Sequence, residues 1–184
     1  MQVYLETERV LLRRFIAADA DLLVDLDGDP AVMRFLTGGA PTPRDVIERD
    51  TLPRFLGYYE RGDDYGCWAA IEKATGDFLG RFFFRPPRGG SSDDIELGYR
   101  LRQAAWSQGY GTEVSRALIR KGFTELGVQR VVAQVLTANH ASRRVLEKAG
   151  LTPVRTFRGA RPDLFDGVEQ EVVEYALRRA DWQP

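Results

Sequence analysis

The chain has 184 residues, of which 43% are hydrophobic and 29% are charged, a size and composition typical of one compact water-soluble domain. Its net charge is −1, so no global basic field favours nucleic acid or an anionic membrane as a partner. The only cysteine, Cys67, excludes a disulfide within the chain and favours a reducing compartment, which we take to be the cytoplasm.

The same composition argues against several kinds of site. The only histidine, His140, lies far from Cys67 in sequence, so a packed thiol is favoured over a nucleophile, and His140 is expected on the surface. Ligands of the usual kind for zinc are lacking, and we expect no metal. The N-terminal residues carry charge without an apolar signal core. The chain contains no run of about 18 apolar residues, so no membrane span is predicted.

The first half of the chain predicts strands and helices in turn. Arg9–Phe15 combines β-branched and apolar residues and predicts a strand, and a helix follows from about Ala18 to a stop at Gly28. A second helical stretch is predicted over Pro43–Arg61, in which Pro53 should cause a break or a kink.

Three strands are predicted next. Tyr65–Glu72 and Phe78–Arg85 are joined by a short polar segment typical of a hairpin, and Ile95–Leu101 alternates as a strand does. Aromatic residues such as Trp68 and Phe82 belong either to the core or to the lining of a substrate site, and the core is the commoner place for them.

The second half alternates helices and strands. Thr112–Leu126 has an apolar stripe at helical spacing, and Arg130–Thr137 predicts a strand that is buried on both faces. A short helix over Asn139–Ala149 follows, with further strands at Thr152–Arg158 and Glu169–Arg178. The pattern predicts a single domain over residues 1–184 of the α/β class, with mixed α+β order.

The most informative segment is the loop before the helix at Thr112. Gly109 and Gly111 allow the backbone to approach a ligand closely, and the amides from Gln108 to Thr112 lack intrahelical partners. Such amides, together with the positive end of the helix dipole, can bind a phosphate or diphosphate. A plain tight turn with a helix cap is an equal alternative. The loop is neither a Walker A loop nor a dinucleotide fingerprint, because no Gly-Lys-Ser/Thr follows and position 114 is Val.

A second signal lies about 30 residues further on. Asn139 is a helix-capping residue type, and Ser142 follows at a spacing that places both side chains on one edge of the first helical turn. Taken alone, Asn139 is best interpreted as a cap and Ser142 as a solvated residue.

Together, the two segments resemble the GNAT acetyltransferase superfamily over residues 8 to 182. Gly109-Tyr-Gly111-Thr-Glu is similar to the acyl-CoA signature loop, and Asn139-x-x-Ser142 through Leu146-Glu-Lys-Ala-Gly150-Leu is similar to the following motif. Ile95–Leu101 and the strand at Arg9–Phe15 resemble the RimJ/RimL-type branch, which acetylates protein N-termini and other amines. Trp106 departs from the signature, which usually has Gln or Arg at that position.

The resemblance implies a GNAT-like domain with a mostly antiparallel mixed sheet of six to seven strands, flanked by helices. The sheet would split between the strands at 95–101 and 130–137, with acetyl-CoA as cosubstrate in the split. The diphosphate would bind the amides of the signature loop, and pantetheine would pair with the preceding strand. The implied cofactor-binding residues are Tyr99, Arg100, Leu101, Gln108, Gly109, Tyr110, Gly111, Thr112 and Asn139.

For catalysis the resemblance implies direct attack of an amine on the thioester. Glu96 is our candidate base, acting directly or through water, and its alternative is a solvent-facing strand residue. Ser142 is the candidate donor to the departing thiolate, or else it positions a water. The acceptor site would include the first helices, the 78–85 strand and the 159–168 loop. Tyr58 and Tyr59 are candidate lining residues. Arg34, Arg161 and Asp163 are loop charges that either meet the acceptor or lie solvated on the surface.

The expected partner is an amine-bearing acceptor, which is either a peptide N-terminus or a small molecule. No nucleic-acid or membrane partner is expected, and the chain is expected to be a monomer or a homodimer. The alternative function is a non-catalytic acyl-CoA-binding or sensor domain of the same fold.

Overall fold

The computed structural model describes residues 2–87, 94–159 and 169–183. The described strands are β1 (Val3–Glu6), β2 (Val10–Arg14), β3 (Gly66–Glu72), β4 (Phe78–Arg85), β5 (Asp94–Leu101), β6 (Arg130–Leu136), β7 (Thr152–Gly159) and β8 (Gln170–Arg178). These eight strands lie in one sheet in the order β1-β2-β3-β4-β5-β6-β8-β7. The sheet has one strand more than the predicted six to seven, because β1 was not predicted. Its four residues carry too little alternation to be recognised from sequence.

Helices connect the strands. The described α-helices are α1 (Ala20–Gly28), α2 (Pro30–Met33), α3 (Arg44–Val46), α4 (Leu52–Tyr59), α5 (Tyr110–Thr124) and α6 (His140–Lys148). Within the part of the chain that the structure describes, no helix has both the length and the apolar character needed to cross a membrane.

The predicted break at Pro53 takes the form of a widened turn. A π-helical turn at Ile47–Thr51 joins α3 to α4, and the Leu52 N–H donates to the Ile47 carbonyl five residues back. Because Pro53 has no N–H to donate to Arg49, the usual spacing cannot continue through this point. The helical path continues through a π turn instead of ending.

One compact unit comprises the residues up to Phe83 together with Tyr99–Tyr110. Strands β1, β2 and β3 pair antiparallel in it, with Val10 opposite Glu72. Its core contains buried residues from the first helices and strands: Phe15, Leu23, Leu26, Val32, Ile47, Leu52, Phe55, Cys67, Ala69 and Phe78. Trp68 and Phe82 are also fully buried, so they belong to the core and do not line an open substrate site.

The other unit comprises Phe84–Gly98 and the residues from Gly111 onward. The apolar stripe of α5 is buried there, and each fully buried Leu or Phe contributes about 1.5–3 kcal/mol relative to an exposed one. Helix α5 packs closely on β4, since a Cβ added at Gly122 would lie 2.7 Å from the Phe84 ring. Strand β8 pairs antiparallel with both β6 and β7.

Strands β5 and β6 pair in parallel. Their register runs from Asp94–Arg130 to Glu96–Val132 and ends there, although β5 continues to Leu101 and β6 continues to Leu136. Beyond this point β6 keeps its pairing with β8. The backbone pairing of these two strands therefore ends directly after Glu96.

Candidate active site

The loop that enters α5 has an unusual backbone. Ser107 has φ 60° and Gly109 has φ 87°, and Ser107 is the only non-glycine residue with positive φ among the described residues. Alternation of right-handed and left-handed residues forms a concavity of backbone N–H groups that favours anions, and Ser107 and Gly109 supply two left-handed residues. The first turn of α5, which starts at Tyr110, adds the positive end of its dipole. This local geometry suits a phosphate group.

Side chains fix the loop from within the same unit. The Trp106 indole N–H donates to the Leu101 carbonyl at 2.9 Å, and the Gln108 side-chain amide donates to the Ala104 carbonyl at 2.5 Å. Trp106 itself is 42% exposed. Trp106, which departs from the signature, therefore forms a hydrogen bond to the end of β5. This hydrogen bond uses the Leu101 carbonyl, which we predicted to be open to pantetheine.

A third brace comes from a distant part of the chain. The Arg9 guanidinium donates to the Gln108 carbonyl at 3.0 Å and lies over the Tyr110 ring, 4.4 Å from its centroid. The Tyr110 hydroxyl donates to the Glu72 carboxylate. Neither Arg9 nor Glu72 was predicted as part of the site, because pairing over such sequence separations leaves no local pattern.

An ion pair of the Arg100 side chain fixes the end of β5. Arg100 is ion-paired with Asp27, and their side chains are 11% and 4% exposed. Burial lowers the pKa of Arg100 to about 10, with a contribution from the nearby Arg81, while the Asp27 carboxylate acts in the opposite direction. The ion pair commits the Arg100 side chain to the fold, and the predicted ligand contact is one of its backbone.

Glycine at position 80 permits the close approach of β4 to β5. Gly80 has φ 143°, and a Cβ there would lie 2.1 Å from the Arg100 carbonyl oxygen and 2.8 Å from the Leu101 Cα. Tyr99 packs its ring on Phe82, with 5.4 Å between the centroids. These contacts fix the backbone of the segment that we predicted to pair with pantetheine.

Glu96 is buried, with 6% of the residue exposed, so the interpretation of a solvent-facing strand residue is wrong. Its Oε2 lies 3.1 Å from a guanidinium nitrogen of Arg85, and both side chains are at most one-tenth exposed. Arg85 supplies the opposite charge that a buried carboxylate requires. The sequence signal for this pair was the presence of opposite charges on β4 and β5. This signal is weak as long as the register of the two strands is unknown.

The start of α6 is organised as its motif predicts. The Asn139 side-chain oxygen accepts the Ser142 N–H at 3.2 Å and caps the helix. Ser142 is half-buried in the first turn, and His140 is exposed as expected. The cap engages the side-chain oxygen of Asn139, and the amide nitrogen is the donor that its side chain offers to a ligand.

A buried tyrosine anchors the same helix. The Tyr175 hydroxyl on β8 accepts from the Arg143 Nε at 3.1 Å and donates to Glu147 at 2.8 Å. Arg143 also donates to the Thr137 carbonyl at 3.1 Å. The orientation of α6, and with it that of Ser142, is therefore fixed from β8, which sequence reasoning did not predict.

The predicted acceptor residues are only partly described. Residues Arg161 and Asp163 lie outside the described residues. Arg34 is exposed, while Tyr58 and Tyr59 are half-buried. The Tyr59 hydroxyl donates to the Cys67 carbonyl and accepts from the Phe15 N–H, and burial raises the pKa of Tyr59. Tyr59 is thus committed to the fold.

Comparison with known proteins gives concordant matches. A family model described as an acetyltransferase (GNAT) domain matches residues 9–152. The chain is 31% identical to the FsC-acetyl coenzyme A-N(2)-transacetylase of Aspergillus fumigatus over 188 residues, which cover 98% of this chain and 78% of that relative.

Solved structures support the fold. An acetyltransferase of the GNAT family from Bacillus anthracis matches with a TM-score of 0.77 at 20% identity, over 98% of this chain and 99% of that chain. A ribosomal-protein-S5-alanine acetyltransferase from Vibrio fischeri matches with a TM-score of 0.75 at 14% identity, over 98% of both chains.

Proposed function

The chain belongs to the GNAT acetyltransferase family, and from this premise we propose that it transfers an acetyl group from acetyl-CoA to a primary amine. The observation that carries the proposal is the start of α5, where left-handed residues at 107 and 109 lead into a helix N-terminus. That geometry suits the diphosphate of coenzyme A.

The proposed contacts with acetyl-CoA follow from the local geometry. The amides of Gln108, Gly109, Tyr110, Gly111 and Thr112 would bind the diphosphate. The backbone of Tyr99, Arg100 and Leu101 would pair with pantetheine, with the Leu101 carbonyl shared with the Trp106 indole. The Asn139 amide nitrogen is the remaining proposed contact. Acetyl-CoA would supply the activated acetyl group, and no metal is required in this scheme.

Direct transfer makes two demands on the protein's own groups. An amine attacks only after it loses its proton, so a base must be within reach directly or through water. Glu96 is our proposal, because it is the last β5 residue paired with β6. The departing thiolate needs a proton or a positioned water, and Ser142 in the first turn of α6 is proposed for that role.

The acceptor is proposed at the level of chemical class. The RimJ/RimL-type branch, which Ile95–Leu101 and Arg9–Phe15 resemble, acetylates protein N-termini and other amines. The name of the Aspergillus fumigatus relative specifies acetylation at N(2) for that protein. We therefore propose a primary amine on either a peptide or a small molecule. We further propose a monomer or homodimer in the cytoplasm, in line with the buried free thiol of Cys67.

A thiol-release assay tests this function. Purified protein is mixed with acetyl-CoA and a panel of amines and peptides that includes Ala- and Ser-starting N-termini, polyamines and amino acids. We expect at least one acceptor to release coenzyme A at a protein-dependent rate and to gain an acetyl group by mass spectrometry. Tight acetyl-CoA binding without release by any acceptor favours the non-catalytic binding domain, in which the Glu96–Arg85 pair is only structural.

A further inference from the structure

We infer that Arg9 is a positioning residue that sets the direction of the Gly109 N–H in the loop entering α5. The inference deepens the proposed function, since the ligand of that N–H is taken to be the coenzyme A diphosphate. It starts from one contact, the 3.0 Å hydrogen bond from the Arg9 guanidinium to the Gln108 carbonyl.

The geometry of the peptide bond turns this contact into an orientation. The Gln108 carbonyl and the Gly109 N–H belong to the same peptide unit, and none of the described peptide bonds is cis. In a planar trans peptide the C=O and N–H point in opposite directions. By holding the carbonyl, Arg9 turns the Gly109 N–H away from itself, to the other side of the loop.

The donor is itself rigidly placed. The Arg9 carbonyl accepts the Lys73 N–H at 2.8 Å, and the next residue, Val10, lies opposite Glu72 in the β2–β3 ladder. Glu72 in turn accepts the Tyr110 hydroxyl, and the Tyr110 ring lies under the guanidinium. Arg9, directly before β2, and Glu72, the last residue of β3, therefore hold the loop at two points, Gln108 and Tyr110.

The absence of a side chain at position 109 leaves room for the Arg9 guanidinium. A Cβ on Gly109 would lie 3.3 Å from the Arg9 terminal nitrogen, which is tighter than ordinary van der Waals contact. The guanidinium thus occupies the side of Gly109 where a side chain would project. Gly109 is required here by its φ of 87° and by the neighbouring guanidinium together.

A charged donor makes the brace strong. Hydrogen bonds from guanidinium are stronger than those between neutral groups, and the aromatic face of Tyr110 adds a cation–π contact. The brace should therefore be in place before the ligand arrives. A preformed loop lowers the ordering cost of binding.

The test compares Arg9→Ala with Arg61→Ala, whose guanidinium lies over the Tyr58 ring outside the loop. We expect faster amide hydrogen exchange in Ala104–Thr112 for Arg9→Ala only. The KM for acetyl-CoA should rise about tenfold, with kcat within about twofold, for the loss of one charge-assisted hydrogen bond. Arg9→Lys should recover part of both effects, because an ammonium group still donates to the carbonyl.

A truncated donor separates positioning from general support of the fold. S-acetylpantetheine lacks the diphosphate, so kcat/KM with this donor should be nearly equal for the wild type and Arg9→Ala. An equal loss with both donors, or unchanged exchange in Ala104–Thr112, overturns the inference. If exchange rises in a protein whose wild type binds no coenzyme A, the proposed function fails and the role of Arg9 in the loop stands.

Discussion

Glu96 and Arg85 form a buried ion pair, with 3.1 Å between the carboxylate Oε2 and a guanidinium nitrogen. Substitution of only one partner destabilises the fold, because the charge of the other partner is left without compensation in a medium of low polarity. A substitution at Glu96 therefore changes both the proposed chemistry and the stability of the fold. The two effects need separate measurements.

Glu96→Gln is expected to lower kcat about 10²–10⁴-fold, the usual contribution of a general base, while the Kd for acetyl-CoA stays nearly unchanged. The rate with a responsive amine and the Kd from calorimetry check this. Glu174→Gln is the matched control, because Glu174 is also buried and ion-paired, with Arg130 and Arg155, but has no proposed catalytic role. Wild-type turnover and pH–rate profile in Glu96→Gln would remove Glu96 from the mechanism.

Arg85→Met is expected to destabilise the fold by about 3–5 kcal/mol, the cost of leaving a buried charge without its partner. Urea unfolding measures the difference in the free energy of unfolding. Arg120→Met on the exposed face of α5 serves as the control and should shift the free energy by less than about 0.5 kcal/mol. Equal stability of the two variants would show that Arg85 does not compensate Glu96.

Gly109→Ala is expected to raise the Kd for coenzyme A about tenfold, as for the loss of the Arg9 hydrogen bond, because the new Cβ would lie 3.3 Å from the Arg9 terminal nitrogen and displace the guanidinium. Gly127→Ala is the matched control: Gly127 has φ 70°, and nothing lies within 4 Å of its added Cβ. Both variants should lose about 1–2 kcal/mol from the left-handed backbone, but only Gly109→Ala should bind coenzyme A more weakly. Calorimetry with coenzyme A measures this, and unchanged affinity in Gly109→Ala contradicts the placement of the loop.

Asn139 carries two separable roles. Asn139→Ala removes the cap of α6 and should cost about 1 kcal/mol in the free energy of unfolding. Asn139→Ser keeps a capping oxygen but lacks the amide nitrogen, so it should retain most of the stability and raise the KM for acetyl-CoA. If Asn139→Ser leaves KM unchanged, Asn139 is a helix cap and nothing more.

Local patterns were sufficient for much of the fold. The apolar stripe of α5 and the cap of α6 were predicted from spacing and residue type, with α5 starting at Tyr110, two residues earlier than predicted. The glycine loop was recognised because its residue types report backbone conformation directly. Strand β1 was missed, since four residues at a sheet edge leave little alternation.

The contacts that brace the site were beyond the reach of sequence patterns. The Arg9–Gln108 bond joins residues 99 positions apart, and the Glu96–Arg85 pair depends on the register of neighbouring strands. A single sequence specifies which residues are charged, but the pairing partner is chosen by tertiary packing. The hydrogen bond from the Trp106 indole to the Leu101 carbonyl was likewise not predictable from the sequence and is seen only in the structure.

A crystal structure with coenzyme A bound tests the central claim most directly. We predict diphosphate oxygens within about 2.7–3.2 Å of the backbone nitrogens between Gln108 and Thr112, the range of an N–H···O hydrogen bond. A diphosphate located away from the start of α5, or crystals that take up no coenzyme A at saturating concentration, would contradict the proposed acetyl transfer.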